Sequence, residues 1–203
     1  MLIKNAAVLL TLLFTFPAWS LVEVRVTYSD VSTNPDKNSV YTGSGNMPAL
    51  KPLTGIGGDL VLIAPVAGLG LGVRYENMAL TAKGGNIKAD GDATRTSLLL
   101  GWRLIDSVVY FGPVVTYGIS HSGGNIKVTE NNATVSDMTA DKQNSYSAGA
   151  ELGFKLVDIR VGAEAGYMNY IWKDLTGTTG SIQSASKLDM SGSYVKFTIG
   201  FGI

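Results

Sequence analysis

"LVEVRVTYS", Leu21 to Ser29, sets Val22, Val24, Val26 and Tyr28 on one parity against Glu23, Arg25, Thr27 and Ser29 on the other. Successive side chains of a strand point to opposite faces, so this period of two reads as a strand with one apolar and one polar side. The pattern recurs along the chain. Ile56, Leu60 and Leu62 oppose Gly55, Gly57 and Asp59, and Leu69, Leu71, Val73 and Tyr75 oppose Gly70, Gly72, Arg74 and Glu76. Leu98, Leu100, Trp102 and Leu104 stand against Arg95, Ser97, Gly101 and Arg103. "VYFGPVVTYG", from Val109, sets Phe111, Val115 and Tyr117 against Tyr110, Gly112 and Thr116. Tyr146, Leu152 and Phe154 then oppose Ser147, Glu151, Gly153 and Lys155, and Ile159, Val161 and Tyr167 oppose Arg160, Gly162 and Glu164. The closing "YVKFTIGFGI" alternates Val195, Phe197, Ile199 and Phe201 with Tyr194, Lys196, Thr198 and Gly200. Eight strands are predicted. Pro113 cannot donate to a ladder, so a local bulge is expected after Gly112.

Before the first strand the chain has a different character. Lys4 precedes an apolar run from Ala6 to Phe16, and Pro17-Ala18-Trp19-Ser20 offers a small-residue cleavage site. Residues 1–20 read as a secretory signal peptide cleaved after Ser20, and 21–203 as one barrel domain. The apolar run is shorter than the roughly 20 residues of a spanning helix, and no later helical run reaches that length. Any membrane span is therefore made of strands.

Which parity faces inward is decided by volume. An eight-stranded barrel holds on the order of a dozen large side chains, and the apolar parity carries several times that number. The polar parity, rich in glycine, suits the crowded inside. A water-soluble sandwich would need a charged outer face, yet only 16% of all residues are charged, against about 25% in ordinary soluble domains. The aromatic residues agree. Tyr28, Tyr75, Tyr117, Tyr146 and Tyr167 lie toward one end of their strands, and Trp102, Phe111, Phe154 and Phe201 toward the other. Two such girdles on the apolar parity mark a membrane barrel. The connections at 65–67, 106–107 and 157–158 are short, whereas 31–53, 79–93, 121–143 and 173–190 are long, as periplasmic turns and external loops are. The fold class is thus all-β, an eight-stranded antiparallel up-and-down transmembrane β-barrel.

On this architecture, and on the stretches Val109–Gly118 and Tyr194–Ile203, the chain resembles the small Gram-negative outer-membrane proteins of the OmpA-barrel, OmpX and opacity-protein type. The resemblance implies an integral protein of the bacterial outer membrane with both termini periplasmic. It implies contact with outer-membrane lipid and lipopolysaccharide, handling by the barrel-assembly machinery, and a monomeric state. It also implies a non-enzymatic role in which surface loops stabilise the envelope or meet an unknown ligand. A narrow, porin-like channel for ions or small solutes is the alternative.

The chemistry available is concentrated in the polar parity. Glu23, Asp59, Glu76, Glu151 and Glu164 are expected inside with Arg25, Arg74, Arg95, Arg103, Lys155, Arg160 and Lys196. Unpaired buried charge is costly, so these should pair into a plug, or else line a narrow path. The lumen is narrowed further by Tyr110, Tyr170, Trp172 and Tyr194. His121, the one histidine, lies between Ser120 and Ser122. The resemblance brings with it a further alternative, a lipid A-modifying hydrolase using a Ser-His pair. Adjacent strand residues point to opposite sides, however, which argues against His121 with Ser122. Asp90-Gly91-Asp92 lacks the ligands of a calcium site and reads as a turn. No cofactor or metal is expected, the chain has no cysteine, and its zero net charge gives nucleic acid no electrostatic footing.

Gly-Gly-Asn-Ile-Lys occurs twice, at 84–88 and 123–127. Each copy is expected to open an external loop, with Gly-Gly-Asn supplying the positive φ of a reversal, as in a duplicated hairpin.

Overall fold

The computed structural model describes residues 21–33, 35, 53–64, 67–177 and 187–202, so the expected leader at 1–20, most of the connection 31–53, and parts of those at 65–67 and 173–190 lie outside the described residues. The strands are β1 (Leu21–Thr33), β2 (Leu53–Ala64), β3 (Leu69–Gly84), β4 (Ile87–Trp102), β5 (Ile105–Asp106), β6 (Val109–Glu130), β7 (Ala133–Leu156), β8 (Ile159–Gly177), β9 (Lys187–Asp189) and β10 (Gly192–Gly202). Eight of them form a ring: β1, β2, β3, β4, β6, β7, β8 and β10, each antiparallel to its neighbours. β5 and β9 are short additions that pair with β6 and β8. β10 returns to β1 from Glu23↔Gly202 to Thr33↔Gly192 and closes the ring. Closure is what an apolar surround demands, because an open edge there leaves backbone groups without partners.

The nine girdle aromatics, Tyr28, Tyr75, Tyr117, Tyr146, Tyr167, Trp102, Phe111, Phe154 and Phe201, are all exposed on the outer wall. Between them the wall is valine, leucine and isoleucine, open to the surroundings. The interior holds the charged parity.

Above the tyrosines the two faces exchange character without any change of register on β3. Glu76 is the last charge on the inner face of that strand, and Met78, Leu80 and Ala82 follow it inward, while Thr81 and Lys83 point out. Two of the long connections, 79–93 and 121–143, are therefore mostly strand. They form tall hairpins reversed by tight turns at Gly85-Asn86 and Asn131-Asn132. Gly85 has φ 58°, and Asn131 and Asn132 have φ 51° and 65°, the left-handed values such hairpin turns require.

The repeated pentapeptide takes two different forms. Its first copy makes the β3–β4 reversal. Its second does not reverse the chain: Gly123 and Gly124, at φ 70° and 80°, make a bulge within β6, with Asp92↔Asn125 followed by Ala93↔Gly123. In both copies the isoleucine, Ile87 or Ile126, turns inward and is buried. The irregularity near Pro113 also differs from expectation. Pro113 stands in unbroken register with Ala150 of β7, and the extra residue lies opposite, among Trp102–Leu104, where pairing passes from Gly101↔Val114 to Ile105↔Phe111. The backbone thus accommodates the proline by loosening the neighbouring strand.

Candidate functional site

The lumen is filled by three layers of charge beneath an apolar roof. In the lowest layer Glu23 of β1 is a hub: Arg25 Nη2, Arg103 Nη2 and Arg160 Nε each lie 2.6 Å from its carboxylate. Arg25 also reaches Glu151 at 2.8 Å, and Tyr110 donates to Glu151 at 3.3 Å. The Arg103 guanidinium sits 4.5 Å from the centre of the Tyr110 ring. Lys155, the least buried of the predicted interior charges, pairs with Asp106, which Arg103 approaches at 3.7 Å. Asp106 belongs to the network, although the sequence placed it in a turn.

The middle layer is Arg74, gripping Asp59 with Nε and Nη2 at 2.8 Å each and Glu164 with Nη2 at 2.8 Å. Both pairings are fully buried. Tyr194 donates its hydroxyl to Glu164 at 2.6 Å. In the upper layer Glu76 accepts from Arg95 Nε and from Lys196 Nζ, the latter at 2.6 Å. Fork-shaped guanidinium contacts of this kind are the strong, directional ones. All twelve residues proposed from sequence lie inside and have an opposite charge in contact.

Glycine makes room for these side chains. A Cβ on Gly153 would fall 2.3 Å from the Tyr110 ring, and one on Gly162 would fall 2.4 Å from its hydroxyl. Gly153→Ala should therefore destabilise the barrel by about 1–3 kcal/mol through overpacking. A urea titration reads the cost. In a Tyr110→Ala background the same substitution should cost little, and an equal cost there would refute the packing account.

Tyr170 and Trp172 lie in the lumen as expected, but the apolar roof they belong to was not foreseen from sequence. Met78, Leu80, Ile126, Met138, Met168 and Met190 are buried with Tyr170 and Trp172 in one cluster above Glu76. A smaller patch of Val61, Ile63, Leu99 and Val114 interrupts the polar lining lower down. The signal existed in "MALTAKG", where the inward parity turns apolar just as the outward one turns polar.

Between roof and charges the wall changes its manner of closure. β6 and β7 pair up to Tyr117↔Tyr146 and again from Asn125↔Thr139, with no ladder between. Two side-chain contacts span this seam. His121 Nε2 lies 2.9 Å from Ser145 Oγ, and Gln143 Nε2 donates to the Gly123 carbonyl at 3.1 Å. Burial and the neighbouring Arg95 charge both push the His121 pKa below its ordinary value. Its serine partner is Ser145, not Ser120 or Ser122, and no described carboxylate hydrogen-bonds to the ring, so the arrangement lacks the third member of a hydrolytic triad. Asp90 and Asp92 lie on the outer face of β4; Asp90 pairs with Lys88 at 2.7 Å. Asp174 accepts a 2.7 Å hydrogen bond from Lys142 and raises the Lys142 pKa, at an exposed site.

No family model matches the chain, and no curated relative does. Among solved structures it is similar to the outer membrane protein OprG from Pseudomonas aeruginosa, at 15% identity and a TM-score of 0.58, covering 91% of this chain and 96% of that one. The chain has the fold of the small eight-stranded outer-membrane barrels. Neisserial surface protein A also aligns, at 10% identity and a TM-score of 0.39, over 92% of this chain and 97% of that one. At these identities the likeness extends to the fold alone.

Proposed function

We propose that the protein is an integral outer-membrane barrel with a closed lumen, acting through its tall hairpins at the cell surface and not as an enzyme. The observation that carries this reading is the doubly filled interior, with buried ion pairs below and the methionine-rich cluster above. Eight strands leave no open aqueous channel, since pores of that kind use about sixteen. The apolar wall between the girdles is the surface that lipid covers, and lipopolysaccharide is the natural neighbour of the hairpins. The first and last described residues, Leu21 and Gly202, lie at the short-turn end, which this reading puts on the periplasmic side. In planar bilayers the wild type should give no steady large conductance. A large, stable, ion-selective conductance would promote the narrow-channel reading, which draws support from the β6–β7 seam, held by two side-chain contacts instead of a ladder.

Orientation has its own test. An epitope inserted after Gly85, at the tip of the β3–β4 hairpin, should bind antibody on intact cells, and one at Asp106 should be reached only after permeabilisation. The opposite result would turn the barrel over.

A further inference from the structure

The short-turn end of the barrel exposes apolar side chains where water is the expected neighbour. Leu104, Ile105 and Val108 are 56%, 54% and 66% exposed in the connection from β4 to β6, and Leu156 and Val157 are 63% and 91% exposed at the β7–β8 turn. The two turns lie side by side, with the Lys155 amide donating to the Val108 carbonyl at 2.7 Å. Val157 also has φ 57°, a left-handed conformation that β-branched residues resist. A strained valine held out in water has nothing to offset its strain.

The Asp106 carboxylate is drawn toward Lys155 and Arg103 at the mouth of the lumen although the residue itself is exposed, and Ser107 and Asp158 are the other exposed polar residues of the two tips. Height points the same way. On β6 and β7 the girdle aromatics Tyr117 and Phe111, and Tyr146 and Phe154, are six and eight residues apart. At about 3.4 Å per residue and a tilt near 40° that spans roughly 16–21 Å, short of the apolar band of about 25 Å that membrane barrels present. Adding the three residues to Val108 or Val157 brings the span to roughly 23–29 Å.

We propose that this rim inserts into the leaflet at the short-turn end, so that acyl chains cover Leu104, Ile105, Val108, Leu156 and Val157 while Ser107 and Asp158 reach headgroup level. Lipid is the occupant because the rim continues the lipid-facing wall below Trp102, Phe111 and Phe154 without a polar break. The inference rests on the membrane reading above, and its test separates the two.

The chain has no cysteine, so single nitroxide labels can be placed at Val108→Cys, Leu156→Cys and Val157→Cys. Leu100→Cys serves as the mid-wall reference and Lys83→Cys as the aqueous one. In phosphatidylcholine–phosphatidylglycerol vesicles the three rim labels should lose collisions with aqueous nickel chelate and gain collisions with oxygen, as at position 100. Rim labels that collide with nickel as freely as position 83, while position 100 stays oxygen-dominated, would overturn the insertion and leave the rim to a protein partner. Nickel access at position 100 itself would remove the membrane reading and the insertion with it. Two labelled turns guard against one variant failing to fold.

Discussion

Glu23→Ala should destabilise the barrel by about 3–5 kcal/mol or more, the largest loss expected of any single interior substitution. The carboxylate holds Arg25, Arg103 and Arg160 together, all nearly or fully buried. Its removal leaves three guanidiniums facing each other; Arg25 keeps Glu151 at 2.8 Å and Arg103 keeps Asp106 at 3.7 Å, while Arg160 has no other carboxylate among the described contacts. The residual cost therefore includes mutual repulsion as well as lost pairing. Equilibrium unfolding in lipid vesicles would show the midpoint falling, and heat-modifiable migration on gels would show whether a folded barrel survives. Glu151→Ala should cost less, because Arg25 retains Glu23. Equal losses for the two variants would refute the hub.

Leu100→Arg should cost about 2–4 kcal/mol, the usual penalty for a cation on the lipid face near mid-depth. Leu100 is exposed on the wall opposite Leu71 and Val115, while its neighbour Leu99 is buried in the lumen. The register has a direct check in cysteine labelling. A lipid-soluble reagent should modify Leu98→Cys and Leu100→Cys and spare Ser97→Cys and Leu99→Cys. The reverse pattern would place the charged parity in lipid and sink the assignment.

The faces of the wall were legible in the sequence because period two persists through the strands between the girdles, interrupted where Val61, Ile63, Leu99 and Val114 make the lining apolar. Volume then decided that the apolar parity faces outward, and the charges had only the inside to go to. The upper barrel was harder to read for two physical reasons. There the outward face meets water and becomes polar, so composition imitates a loop although alternation persists in Met78, Leu80 and Ala82. Along β6 the bulges near Ile119 and Gly124 shift the parity, so no single alternation describes the strand. The two Gly-Gly-Asn-Ile-Lys copies carry the same lesson. Their glycines permit either a reversal or a bulge, and the strand lying alongside selects which one forms. The pairing within the lumen was legible as a necessity, but not its partners. Glu23 emerged as a hub only once β1, β8 and the residue following β4 were brought around one axis.

Interior contacts link distant parts of the chain: Arg25 and Glu151 are 126 residues apart, and Glu76 and Lys196 are 120 apart. Neither pair exists until the ring is almost complete, since β10 must lie between β8 and β1 for Lys196 to meet Glu76. A partly assembled sheet would carry lone guanidiniums and carboxylates, which water tolerates and hydrocarbon does not. Insertion and closure are thus bound into one late event, with a transition state that must organise contacts of very high sequence separation. Such chains fold slowly. Until closure the protein remains dependent on whatever keeps its strands apart from those of other chains.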